Sequence, residues 1–78
     1  MVEPGSIEES IRSGLAVTHV EVTGDGAHFE AVVVSPSFAG LPRVRQHQLV
    51  YAALGGRMRE EIHALSMKTY SPEEWASR

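Results

Sequence analysis

Residues Phe38–Leu65, FAGLPRVRQHQLVYAALGGRMREEIHAL, set the tightest limit on this chain's fold. They read as two helices hinged at Gly55-Gly56, with strand-like alternation on both sides. On the first helix Val44, His47, Val50, Tyr51 and Leu54 recur at three- and four-residue spacing. This predicts that they share the buried face and leave Arg43, Arg45, Gln46 and Gln48 mostly outside it. The second, shorter helix runs into His63, with Met58, Ile62 and Leu65 on one side and Arg59, Glu60 and Glu61 on the other. The two glycines give the backbone freedom of a tight αα turn. Such a helix-turn-helix shape needs an apolar surface to cover, and does not by itself mean DNA binding.

The rest of the chain supplies that surface. Ser6-Ile7-Glu8-Glu9 fits a capping box, which predicts a helix starting there, with an Ile7, Ile11, Leu15 stripe and a stop near Gly14. From Ala16 to Thr23 the period changes to two, placing Thr18, Val20 and Val22 on one face and Val17, His19 and Glu21 on the other. Gly24-Asp25-Gly26 turns the chain into a second strand, His28 to Ser35. There Phe29, Ala31 and Val33 face the helices while His28, Glu30, Val32 and Val34 point away. Pro36 and Ser37 end the hairpin, and Pro42 suits the first turn of the following helix. Ala64 to Tyr70 alternates again as a third strand, with Leu65, Met67 and Thr69 opposed to Ser66, Lys68 and Tyr70. Ser71-Pro72-Glu73-Glu74 repeats the capping-box logic, so Trp75 sits on a short last helix with its indole against the sheet or the helix pair.

The element string is therefore αββααβα: an α+β fold, a three-stranded mixed sheet with helices on one face. Strands two and three are joined through two helices, a crossover that makes them parallel, so both start at the same edge. His28 opens one and His63 precedes the other, which predicts that residues thirty-five apart share one rim.

Seventy-eight residues make one domain, 1–78, with room for one core. No apolar run is long enough to cross a bilayer and MVEPGSIEES has no signal or transit pattern, so a soluble cytoplasmic protein is expected. A net charge of −3 argues against a nucleic-acid binder that depends on phosphate neutralisation. Even so, Arg43, Arg45, Arg57 and Arg59, four of the seven basic residues, gather in the helix pair. There is no cysteine, which excludes a disulfide framework, a thiol nucleophile and any Cys-only metal site built by this chain alone. Metal chemistry would have to use His19, His28, His47 or His63, with carboxylates or with ligands lent by a partner. No serine, lysine or carboxylate pair has the local features of an activated nucleophile or an acid–base dyad, so no reaction is assigned.

The ordered motifs F-x-G, V-x-x-H-Q-x-V-Y-x-x-L, I-H-A-L-S and P-E-E-W, spanning Ile7 to Trp75, resemble the BolA family. The GDGAHF turn is similar to that of its short bacterial branch associated with acid stress. The resemblance implies a class II KH-like fold. It also implies a monothiol glutaredoxin partner, whose cysteine and bound glutathione supply thiolates to a shared 2Fe-2S cluster, with none expected on the isolated chain. His63, in the H-A-L segment, is the implied ligand from this side. The other family ligand lies in the hairpin loop before the second strand; here that loop is GDGA, with Asp25 near the place. His28 either substitutes from next to it or is a polar residue on the open sheet face.

His47, on the apolar stripe, reads as a core or boundary imidazole bonded to backbone, and His19 as solvated. The resemblance further implies possible transcriptional activity in stress response through the helix pair. Arg43, Arg45, Arg57 and Arg59 then have three readings: contacts to DNA, contacts to an acidic or glutathione-bearing partner, or a solvated face. The G-x-x-G loop of nucleic-acid-binding KH domains is missing, and Phe29, Tyr51 and Trp75 look committed to packing. No membrane association is expected, and the isolated protein should be a monomer or a weak homodimer.

Overall fold

The computed structural model describes residues 2–78. Helix α1 (Pro4–Gly14) leads to strand β1 (His19–Gly24), which forms a hairpin with β2 (His28–Val34). A 3-10 turn (Pro36–Phe38), α2 (Arg43–Leu54) and α3 (Arg57–Glu60) cross over to β3 (Ala64–Tyr70), and α4 (Pro72–Ser77) follows. The sheet order is β1-β2-β3, with β1 antiparallel and β3 parallel to β2. The α+β fold and the mixed three-stranded sheet are thus as expected.

Alternation does its work on the strands. Val20, Val22, Phe29, Ala31 and Val33 are buried under Ile7 and Ile11 of α1 and Val50 and Leu54 of α2, with Phe38 and Ile62 closing the ends. Between α2 and α3, Gly55 takes φ +58 with ψ −135, a backbone conformation in which a side chain would be strained.

Several boundaries and faces differ from expectation. Helix α1 starts at Pro4, so Ser6 lies within the helix and caps nothing; proline at the first position, with no N–H to satisfy, starts the helix instead. Strand β1 starts at His19, three residues later than the alternation predicts. Pro42 is the residue before α2 and not part of its first turn. Helix α3 has only four residues, and Leu65 belongs to β3 and not to a helical stripe.

The largest correction is the face of α2. Val44 is 62% and Tyr51 42% exposed, while Gln46 is 4% exposed, so the buried stripe is Gln46, Val50 and Leu54. Gln46 can be buried because its amide is satisfied. It donates to the carbonyls of Phe38 (3.1 Å) and Leu41 (3.0 Å) and accepts from the Thr69 hydroxyl (2.6 Å).

Helices α1, α2 and α3 cover one sheet face, and Trp75 of α4 reaches the other. Its indole lies 5.0 Å from the His19 ring and 5.2 Å from that of Tyr70, and Arg78 sits 3.4 Å over it. His19 and Tyr70 both pair with Val34, so the indole roofs the residue between them. Val34 is consequently fully buried, although its parity points it away from the helices. The α4 capping box forms as expected, with Glu74 N–H donating to Ser71 Oγ and Ser71 N–H to Glu74 Oε1.

Candidate metal centre at the strand rim

The parallel crossover brings together the two histidines that lie thirty-five residues apart. His28 is the first residue of β2 and pairs with Ala64, the residue after His63. The ladder begins one residue earlier, where Ala64 N–H donates to the Ala27 carbonyl at 3.1 Å. Both histidines are exposed. Their ring centroids are 5.9 Å apart, with the rings nearly perpendicular at 89°.

The loop before β2 is held by Asp25. Its Oδ1 accepts from the amides of Ala27 (3.0 Å) and His28 (2.9 Å), and its own N–H donates to the His28 carbonyl at 3.2 Å. These bonds favour the charged carboxylate, chiefly through the His28 and Ala27 amides, and hold its pKa below the usual value. The approach is close enough that a Cβ on Gly24 would lie 2.6 Å from the His28 carbonyl and 2.4 Å from the Phe29 ring.

Two imidazoles at this rim have the right donor chemistry for iron or another borderline metal. On a single tetrahedral ion, metal–nitrogen bonds of about 2.1 Å would set two imidazole centroids roughly 5 Å apart. Side-chain rotation of two exposed residues can close the remaining distance. Among the described residues no group of three or more His, Asp or Glu side chains is arranged to hold a metal ion. With no cysteine in the chain, a full coordination sphere at this rim requires donors from another molecule.

The other sequence candidates lie elsewhere. His19 is half-buried, with Nε2 2.9 Å from Glu21 Oε2 and its ring on Trp75, and is not simply solvated. His47 is half-buried, but the expected backbone bond is absent among the described residues, where its buried Nε2 has no hydrogen-bond partner. Desolvation first, and the Arg43 charge second, lower its pKa and keep it neutral.

The four arginines divide. Arg43 donates to the Thr69 carbonyl, which points to the free edge of β3 because the neighbouring Tyr70 carbonyl is taken by Ser35 N–H. Arg57 ties α1 to α3, donating to the Ser6 carbonyl (3.0 Å), Ser6 Oγ (2.7 Å), Ser10 Oγ (2.8 Å) and Glu61. Arg45 and Arg59 are exposed and take no part in the side-chain hydrogen bonds found among the described residues. Arg57 is thus drawn into the fold, and Arg43, though exposed, has one guanidinium nitrogen committed to β3, so the helix pair offers two uncommitted arginines and not a block of four.

Sequence reasoning passed over Asp25 as a structural residue. Its signal was the Asp two residues before Ala27 in a glycine-flanked turn, where a side chain commonly accepts backbone amides. Gln46 and Arg57 gave no comparable local signal, since their partners lie up to 51 positions away.

A family profile described as BolA-like protein matches residues 4–74. The acid stress protein IbaG of Escherichia coli is 38% identical over 76 residues, which cover 96% of this chain and 90% of that protein. The DNA-binding transcriptional regulator BolA of Vibrio cholerae is 44% identical over 52 residues, 67% of this chain and 49% of that protein. Among solved structures, a BolA protein homologue from Coxiella burnetii superposes with a TM-score of 0.85 at 48% identity, covering 97% of this chain and 99% of that one.

Proposed function

Because the chain belongs to the BolA family, we propose that it partners a monothiol glutaredoxin and lends His63 and His28 to a 2Fe-2S cluster held between the two proteins. In this reading it is an adaptor in iron homeostasis or iron–sulfur trafficking. The observation that supports it is the rim itself, two exposed imidazoles 5.9 Å apart on adjacent strand starts. A cluster carried there would bring one-electron redox chemistry, at a potential raised where imidazole replaces thiolate. The chain's part is to present two imidazole nitrogens to the metal.

The test is to mix the protein with cluster-loaded monothiol glutaredoxin and follow visible circular dichroism and sizing chromatography. A new spectrum and a heterodimer are expected, with the spectral change lost in His63→Ala and reduced in His28→Ala. An unchanged spectrum with no heterodimer would reject the reading.

A DNA-binding regulator of stress response is the second reading, favoured by the names of relatives such as the Vibrio cholerae protein and by the outward Arg45 and Arg59. It predicts promoter binding that falls steeply with salt, and an Arg45→Ala, Arg59→Ala double variant with a salt slope shallower by about 2. Equal binding by that variant would count against it.

A further inference from the structure

We propose that Asp25 is a positioning residue for the histidine pair, acting on the backbone from both sides of His28 and through Ala27 on the strand that follows His63. The proposal rests on reading the rim as a metal-binding site. Its test has an arm that needs no metal.

The geometry carries the argument in three steps. Asp25 Oδ1 accepts from the His28 amide at 2.9 Å while the Asp25 amide donates to the His28 carbonyl at 3.2 Å, so one residue grips both peptide groups of His28. The same oxygen accepts from the Ala27 amide at 3.0 Å, and the peptide that carries the His28 N–H also carries the Ala27 carbonyl, which accepts from Ala64 N–H at 3.1 Å. A continuous series of hydrogen bonds therefore runs from one carboxylate oxygen to the peptide that joins His63 to β3. Without it, a three-residue loop of Asp25, Gly26 and Ala27 has no other side-chain hydrogen bond to hold it among those found in the described residues.

Among the described residues Asp25 forms no metal-holding group of three with His28 and His63, and its Oδ1 is engaged by two backbone amides. Its role is to fix where two imidazoles start from, and so how much ordering remains when a metal draws them together. An asparagine at this position keeps an oxygen that can accept both amides; an alanine keeps none.

The experiment compares the full chain with Asp25→Asn and Asp25→Ala. In the metal-free proteins, NMR would record the nuclear Overhauser contact between the His28 and His63 rings and the amide exchange of His28 and Ala64, with Ala31 and Val33 as controls. With cluster-loaded monothiol glutaredoxin, visible circular dichroism would record the response. Asp25→Ala should lose the inter-ring contact, raise exchange at His28 and Ala64 about tenfold with little change at the controls, and cut the dichroism response at least about fivefold. Asp25→Asn should keep the contact and stay within about twofold of the parent response.

The proposal is overturned if Asp25→Ala retains the inter-ring contact and the protection of both amides. It is also overturned if Asp25→Asn keeps these but loses the dichroism response, since the carboxylate would then act as a donor or a charge. A parent protein with no dichroism response would sink the shared-cluster reading alone, and the metal-free comparison would still decide the role of Asp25.

Discussion

Replacing Gln46 by alanine should unfold this protein well below its normal temperature. Gln46 is 4% exposed and joins three elements: the Phe38–Leu41 linker through two carbonyls, and β3 through the Thr69 hydroxyl. The Phe38 carbonyl keeps a second donor, Leu41 N–H, and the Thr69 hydroxyl oxygen still accepts from Arg43 Nη1 at 3.4 Å, so the variant orphans mainly the Leu41 carbonyl and the Thr69 hydroxyl proton. A buried polar group left without its partner costs about 1–3 kcal/mol, and the truncated side chain adds a small cavity, so a loss of about 3 kcal/mol is expected. Domains of this size hold roughly 0.05–0.15 kcal/mol per residue, so that loss is a large share of the total. At about 4–8 °C per kcal/mol, the midpoint should drop by roughly 15 °C. Urea unfolding gives the free energy, and a double-mutant cycle with Thr69→Val isolates the pair. Coupling of at least about 1 kcal/mol is expected, because each single change strands the other's buried group. A loss under about 1 kcal/mol for Gln46→Ala, or an additive cycle, would refute the assignment of Gln46 as the buried joint of the fold.

Arg57→Ala should cost about 2 kcal/mol in urea unfolding, since its charge-assisted bonds to Ser6 and Ser10 are partly buried and only the Glu61 pair is near solvent. Amide exchange should then quicken in α1 and at the end of α3 before the centre of the sheet responds. For His47 the folded pKa is lowered, so the unfolded chain takes up the proton first. Stability is full above the ordinary histidine value of about 6.5 and falls as pH drops below it. The urea midpoint of the parent should thus decline between about pH 7 and 5.5, and His47→Leu should flatten that decline. An unchanged slope would show that His47 is not the group responsible.

The strands and their rim were legible because alternation and crossover handedness are local or topological rules. Ala64–Tyr70 was placed to the residue, and the meeting of His28 with His63 follows from two parallel strands that begin together. Helix α2 was harder. Val44 and Tyr51 fall on the three- and four-residue steps that run through His47 to Val50 and Leu54, as true core residues do, and hydrophobicity ranks them above Gln46. What reverses that order is the position of two linker carbonyls and the Thr69 hydroxyl, known only once β3 is beside α2. The tie that Arg57 makes to α1 was missed for the same reason, since its acceptors lie up to 51 positions away, and exposed Arg43 gave no sign of its bond to Thr69, 26 positions on. At Ser6 the capping pattern was present, but proline two residues earlier starts the helix first.

The chain's one tryptophan stacks on His19 and packs at a tilt against Tyr70, at the opposite end of the strands from His28 and His63. Six steps of roughly 3.3 Å separate the two ends, about 20 Å in all. Intrinsic fluorescence is therefore a gauge of whether this molecule is folded and should stay constant while an apo partner docks on the far side, so a silent emission spectrum is no evidence of failed association.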